Sequence, residues 1–370
     1  MATSARLSRV RALCDQIGAD ALLISDPNNR FYVTGYSGED HGLTESAGIA
    51  LISADDAILY TSPNNTEWAA SETTGFSVAG WSRPWETFVA EEIDRLGLQT
   101  IGFEPGSLSY QSWRAISEHG KGFALEPMSG ELDRIRWVKD AAEVALIQRA
   151  IDITDQVFES VEDELAEGMT ERQVAQMIED RFRARGADGP AFSTAVAVGP
   201  HGARPHHNTG DSPLIGGVPI VIDMGARMSG YCADLTRTVW LGELDDEAAR
   251  VYSLVLASQQ AALAEIRAGV PASTVDLASR NVFEDAGYGE AIVHSVGHGL
   301  GIPVHDGPSV AKFSDLPLEA GNVVTIEPGL YFPGAFGVRI EDVVLVEEGG
   351  YRMLSHARKA VISSESGVED

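Results

Sequence analysis

The sequence predicts an α+β protein in two parts: a smaller α/β domain first, then a larger unit of two similar halves, each with helices against a mostly antiparallel sheet. Three observations lead there. Residues 1–128 alternate helical and strand patterns, as an α/β layer does. Two β-rich stretches, Gly217–Trp240 and Gly321–Val346, each carry two carboxylates in apolar surroundings. Gly217, Asp223 and Gly225 match Gly321, Glu327 and Gly329 at one constant offset of 104 residues. The second part therefore reads as an internal duplication, roughly 140–241 and 245–348.

Composition sets the bounds. A chain of 370 residues, 44% hydrophobic, is long enough for two cored domains. A net charge of −28 argues against nucleic acid and anionic membranes as partners. No run of 18 apolar residues occurs, so no membrane span is expected. The start, M-A-T-S-A-R-L-S-R-V, lacks the apolar core of a secretory signal. The two cysteines, Cys14 and Cys232, suit a reducing, cytoplasmic setting rather than a disulfide scaffold. Lysine is confined to Lys121, Lys139, Lys312 and Lys359, a bias that a halophilic or a high-GC source would equally produce.

The first domain, 1–128, reads as a helix from Ala5 to Ile17 stopped by Gly18, a buried strand Ala21–Ile24 and a turn at Pro27-Asn28-Asn29. Strands at Ile49–Ile52 and Ala57–Tyr60 flank the turn Ala54-Asp55-Asp56, and a helix Trp85–Leu96 precedes a strand Thr100–Phe103. Trp81 and Trp85 read as core, and no cluster of catalytic groups is expected in this domain. A linker, 129–139, leads to the second domain, 140–370. Asp140 and Glu143 form a capping box, and the helix behind it buries Ile147, Ala150, Ile151, Thr154, Phe158 and Val161. Thr170 and Gln173 form a second box, with a counterpart expected near Ser273. The second half opens with a helix from near Asp245 toward Gly269, and a further helix ends at Gly287.

The carboxylates carry the chemistry. Folding the first hairpin about Met228 and Ser229 sets Asp223 opposite Asp234; folding the second about Gly334 sets Glu327 opposite Glu341. Like charges opposite one another destabilise a sheet, so a bound cation is the economical offset. His298 sits in G-H-G-L-G, His305 in P-V-H-D-G-P, and His206 with His207 in G-A-R-P-H-H, each in a loop ahead of a carboxylate hairpin. His207 and His294 read as structural. Four carboxylates and an imidazole are too oxygen-rich for one closed zinc site. They suit two divalent ions sharing carboxylates, which can polarise a carbonyl and activate water. Carboxylate dominance favours Mn²⁺, with Co²⁺ or Zn²⁺ compatible.

The set V-I-D-M-G, A-D-L-T-R-T, S-V-G-H-G-L-G, V-H-D-G-P, T-I-E-P-G and V-R-I-E-D resembles the metallopeptidases that include Xaa-Pro dipeptidase, aminopeptidase P and methionine aminopeptidase. The resemblance is strong over 136–348. It implies a pita-bread fold, pseudo-twofold, with outer helices around a curved antiparallel sheet. The stretch D-A-L-L-I-S-D-P-N-N-R-F-Y-V-T-G-Y-S-G resembles the extra domain of the Xaa-Pro branch and of creatinase. By resemblance, Asp223, Asp234, His298, Glu327 and Glu341 are the metal ligands, with Asp234 and Glu341 bridging. Likewise His206 would shuttle a proton or bind substrate, His305 would contact the substrate carbonyl, Arg339 would line the site, and Glu327 or His206 would relay the proton to the leaving nitrogen. The implied reaction removes an amino-terminal residue from a following proline, and the implied assembly is a homodimer. Val304-His305-Asp306-Gly307-Pro308 departs mildly from the common V-H-E-x-P, and Ser62-Pro63-Asn64-Asn65 departs more. Rival readings are a metal-dependent hydrolase or lyase of a small non-peptide molecule, creatinase-like or ectoine-hydrolase-like, and a non-catalytic binding module. The loop Ser309–Asp315 carries Lys312 and no Arg, so strict recognition of a dipeptide carboxylate is not expected.

Overall fold

The computed structural model describes residues 2–42, 45–82 and 84–360. The expected second domain's last residues, 361–370, lie outside them. The chain divides into two compact units, Met1–Arg136 and Trp137–Asp370.

The first unit runs α1 (Ala2–Ile17), β1 (Ala21–Ile24), α2 (Pro27–Thr34), β2 (Gly48–Ser53), β3 (Ala57–Thr61), α3 (Thr66–Glu72), β4 (Ser77–Gly80), α4 (Trp85–Leu96), β5 (Thr100–Phe103), α5 (Tyr110–His119), β6 (Ala124–Pro127) and α6 (Glu131–Trp137). Six strands form one sheet in the order β4-β3-β2-β1-β5-β6. One face packs Val89, Ala90 and Ile93 of α4 and Ile116 of α5 against β1, β2 and β5, with Trp81 in that core. The turn expected at Pro27 is instead the start of α2. Asp26 caps it by accepting from the N–H groups of Asn28 and Asn29, and Pro27 occupies the first helical position, where no N–H is needed. The stretch 129–139 contains α6.

The second unit runs α7 (Ala141–Glu162), α8 (Glu171–Ala184), β7 (Gly189–Pro190), β8 (Ala195–Val198), β9 (Ile220–Met224), β10 (Ala226–Met228), β11 (Tyr231–Cys232) and β12 (Leu235–Val239). It continues through α9 (Asp246–Ala264), α10 (Ala272–Asp285), β13 (Gly297–Gly299), β14 (Asp306–Val310), β15 (Val323–Ile326), β16 (Gly329–Phe332), β17 (Phe336–Arg339), β18 (Asp342–Glu347) and β19 (Gly350–Met353). Both expected capping boxes form, at Asp140/Glu143 and Thr170/Gln173. The two halves repeat one plan. In the first, Val157, Phe158 and Val161 of α7 and Val174, Ile178 and Phe182 of α8 bury against Ile220, Ile222 and Leu235. In the second, Ala262 and Leu263 of α9 and Ala272 and Val275 of α10 bury against Val324, Ile326 and Val344. Even-numbered residues of β9 therefore face the helices, and Asp223 faces away from them. The counterpart of Thr170 is Pro271, two residues from Ser273: Thr170 bridges Pro213 and Pro271 bridges Pro317, and Pro271 opens its helix without a side-chain cap.

The register of the first hairpin differs from the symmetric expectation. β9 pairs with β12 so that Asp223 lies opposite Thr236, and β10 pairs with β11 with Met228 opposite Tyr231. The turn residues are Ser229 and Gly230, both with positive φ (49° and 82°). That is the type I′ geometry, which demands positive φ at both central positions and selects a Gly-containing pair. It moves the axis one residue along and makes Asp223 and Asp234 diagonal neighbours. The second hairpin keeps the expected register: Ile326 pairs with Asp342 and Gly329 with Arg339, which sets Glu327 across from Glu341.

Candidate metal centre

Backbone approach builds the floor of the site. A Cβ on Gly225 would come 2.0 Å from the carbonyl oxygen of Ala233, and one on Gly299 2.0 Å from that of Gly307. Only glycine fits at either position. These contacts let the strand ends carrying Asp223, Asp234 and His298 close on one another. Glu341 donates its N–H to Thr236 O at 3.0 Å, which joins the second half's segment to the first half's β12.

The side chains meet where the two halves face. Asp234, His298 and Glu341 each offer a ligand atom, all within 4.8 Å of one another. His298 Nε2 stands 3.6 Å from Asp234 Oδ2 and 3.4 Å from Glu327 Oε1. His298 Nδ1 bonds Gly299 O at 3.0 Å. A carbonyl accepts only, so Nδ1 carries the proton and Nε2 presents its lone pair to the carboxylates, the usual arrangement of a metal-binding imidazole. Asp223 reaches the same group through Arg339, whose Nη2 bonds Asp223 Oδ2 at 2.6 Å and whose Nε lies 3.8 Å from Glu327 Oε2. All five residues expected as ligands are thus gathered at one place.

The cluster is electrostatically expensive by itself. Burial, then Glu341, Asp223 and Glu327, push Asp234 well above the ordinary carboxylate range. Burial raises Glu327 too, partly offset by Arg339, and burial with Glu327 and Asp223 raises Glu341. Among the described residues no hydrogen-bond donor reaches Asp223 Oδ1 or Glu341 Oε1, although both are buried. Unmet buried oxygens beside an imidazole lone pair fit divalent cations, which offset the repulsion and take up those lone pairs. Cys232 is no competing ligand: its Sγ–H donates to Ile302 O, and burial pushes its thiol up to about 11.

Around the carboxylates lie the other expected residues. The ring of His305 packs edge-on to that of His298 at 4.5 Å, and burial above all depresses its pKa. His206 is exposed, near enough to His294 and His305 for its charge to act on both. Arg339 is buried, with Nη2 on Asp223, Nη1 on Tyr331 Oη at 2.9 Å and Nε on Thr236 Oγ1 at 3.0 Å. It stands beside the carboxylates and braces one of them.

The sequence reading missed several partners. Tyr331 links Arg339 to His294, whose Nε2 accepts from Tyr331 Oη at 2.7 Å. His294 donates its Nδ1 proton to Ser295 O and is held neutral, its pKa lowered to about 4 mainly by burial. Alternation carried past Pro328 would have found Tyr331, which shares the parity of Glu327 and Gly329. His207 turns away from the carboxylate cluster and bonds Glu171. Lys139 and Asp306 form a buried pair at 3.4 Å. In the first unit, buried Glu104 accepts from the N–H groups of Ser25 and Asp26 and from Asn29, and burial raises it to about 7.

No helix among the described residues is long and apolar enough to cross a membrane. Residues 145–348 match the model of Metallopeptidase family M24, and residues 6–138 that of the Creatinase/Prolidase N-terminal domain. An Xaa-Pro dipeptidase from Bacillus anthracis superposes with a TM-score of 0.91 at 32% identity, covering 97% of this chain and 99% of that one. An X-Pro aminopeptidase from Thermotoga maritima superposes with a TM-score of 0.86 at 35% identity, covering 95% and 99%. The Xaa-Pro dipeptidase of Pyrococcus furiosus is 31% identical over 96% of this chain and 99% of its own length.

Proposed function

The chain belongs to metallopeptidase family M24, and we propose from that premise that it cleaves an amino-terminal residue from a following proline, in Xaa-Pro and Xaa-Pro-Yaa peptides alike. The observation that carries the reading is the convergence of Asp223, Asp234, His298, Glu327 and Glu341, with buried oxygens left over for cations. These five residues would hold two divalent ions, Mn²⁺ in the first instance. Bound there, the ions would supply Lewis acidity toward the scissile carbonyl and a lower pKa for water.

The remaining work falls to side chains. Arg339 holds Asp223 in place and offsets part of the cluster's negative charge. His305, kept neutral by its surroundings, is suited to hydrogen-bond the carbonyl without adding repulsion toward the ions. His206, exposed at the rim, and Glu327, beside His298, are the groups suited to carry a proton to the proline nitrogen. The X–Pro bond is a tertiary amide without an N–H. A site that grips the carbonyl and the free amine does not need that donor.

Both a dipeptidase and an aminopeptidase stand among the similar structures, and the chain's own residues favour neither. Lys312 and Phe313, in the loop where a carboxylate clamp would sit, are exposed. We read the assembly as a homodimer, which sedimentation tests directly. The deciding experiment is metal analysis of the purified protein, with release of alanine from Ala-Pro before and after chelation and re-addition of Mn²⁺. About two ions per chain with activity restored by metal supports the reading. A metal-loaded protein inert on Ala-Pro and Ala-Pro-Ala, yet active on a creatine-like or ectoine-like compound, overturns it.

A further inference from the structure

Glu171 opens α8, where an acidic residue ordinarily complements the helix dipole from an exposed position. Here its side chain is 0% exposed and saturated. Oε1 accepts from Val198 N at 3.0 Å and from His201 Nδ1 at 2.7 Å. Oε2 accepts from Gly210 N at 3.0 Å and from His207 Nε2 at 3.0 Å. The first pair of donors lies where the segment 199–210 begins, and the second where it ends. The two imidazoles stack with centroids 4.4 Å apart, closing the segment at its base. Burial works against the ionised carboxyl, yet the four donors hold it below its ordinary value. The segment so tied carries His206, next in sequence to His207.

We propose that Glu171 is a positioning residue for His206: one carboxylate, with one oxygen for each end of the segment 199–210, fixes where the His206 imidazole stands at the metal centre. The inference rests on the proposed role of His206. It also gives His201 and His207 a function that neither would have as an isolated core histidine. The same three residues offer atoms within 4.8 Å of one another and so resemble a cation site. The geometry argues otherwise. The two nitrogens sit at hydrogen-bond distance from different oxygens, 2.7 and 3.0 Å, whereas tetrahedral donors each about 2.1 Å from a zinc ion would stand roughly 3.4 Å from one another. Both oxygens are also taken by backbone N–H groups.

The test is a double-mutant cycle of Glu171→Gln and His206→Ala, assayed on Ala-Pro with the metal-loaded full chain. The glutamine amide sets an N–H₂ against two donors, so one end of the segment must let go. Glu171→Gln is expected to lower kcat about 10–100-fold, the range for an outer partner of a working group. KM and metal content should stay near wild type. In the His206→Ala background the same change is expected to cost less than about 3-fold, because the group it positions is gone. Equal losses in both backgrounds overturn the proposal. So does a third tightly bound ion in the wild type that Glu171→Gln removes, which would make the cluster a metal site.

Should Glu171→Gln not fold, His207→Phe takes its place in the cycle, keeping the ring stack while removing one donor from Oε2. A smaller loss that again vanishes without His206 supports the proposal, and an unchanged kcat overturns it. Amide exchange over 199–210 provides a readout without substrate. Faster exchange there in either variant, with α8 and β9 still protected, supports the tether, and unchanged exchange refutes it. If the wild type cleaves no proline peptide, the functional reading has failed, while exchange still reports on Glu171.

Discussion

The two carboxylate hairpins of the second unit are copies that solve one problem differently. In the first, a Ser229-Gly230 turn of type I′ sets Asp223 across from Thr236 and leaves Asp234 diagonal to it. In the second, a turn centred on Gly334 sets Glu327 directly across from Glu341. Asp is shorter than Glu, so the diagonal offset and the direct pairing can bring carboxylates of different reach to one place. Turn chemistry, through register, thus decides where the charges fall.

Neither hairpin is complete alone. Arg339 of the second half bonds Asp223 and Thr236 of the first. Arg237 of the first half, fully buried, bonds the carbonyl of Glu341 and, at 2.8 Å, Asp342 Oδ1 of the second. Each half lends an arginine to the other's acidic segment. Arg339 offsets part of the negative charge of the acidic group, and the proposed cations would offset more of it.

The comparison should break most completely at Asp234, proposed above as a metal ligand. Asp234→Asn should reduce activity on Ala-Pro by at least about 10³-fold, roughly 4 kcal/mol, and lower the metal content measured by elemental analysis. Full activity with unchanged metal would remove the shared-carboxylate assignment. Next, His206→Ala should keep both ions and lower kcat by ~10²–10⁴-fold, as for a lost proton relay. Loss of metal would instead mark His206 as a ligand. Third, Arg339→Lys keeps charge but loses the fork that serves Asp223, Tyr331 and Thr236 together. It should cost about 10–100-fold in metal affinity or activity, and an indifferent variant would show that the exchange of arginines is ornamental.

A pH series sharpens the comparison further. Without metal, Glu327 and Glu341 have folded-state pKa values raised from the ordinary carboxylate range to about 8. A raised carboxyl binds more protons when folded than unfolded. Its contribution is therefore present below the unfolded pKa and lost as pH rises through the folded one. Metal binding needs these groups ionised and so gains with pH. The difference in Tm between metal-loaded and chelated protein should widen from pH 5 to pH 8, and a constant gap would contradict the cluster's electrostatics. The smallest effect concerns substrate length. With no Arg in the loop Ser309–Asp315, kcat/KM for Ala-Pro and Ala-Pro-Ala should differ by less than ~100-fold, about 2.7 kcal/mol. A larger preference for the free dipeptide would reveal a carboxylate clamp elsewhere in the chain.

Features set by a few neighbouring residues are legible in the sequence. The capping boxes at Asp140 and Thr170, the strand Ala21–Ile24 and the helix Trp85–Leu96 were legible because propensity, caps and periodicity act over a few residues. The four carboxylates are legible because each of two matched apolar hairpins carries a pair, and His298 because glycines flank it just ahead of the second; their joint role as ligands comes from the family resemblance. The helix at Pro27 is also written locally, in Asp26-Pro27, a dipeptide that opens turns as readily as helices. The remaining features arise from contacts between distant parts of the chain. The diagonal placement of Asp223 and Asp234 follows from a two-residue turn that shifts the register of the pairing. The convergence of Asp234, His298 and Glu341, the exchange of Arg237 and Arg339, and the capture of His201 and His207 by Glu171 all join residues 30 to 116 apart in the chain. Such contacts depend on how two sheets and their helices close over one core, and no short-range pattern encodes that closure.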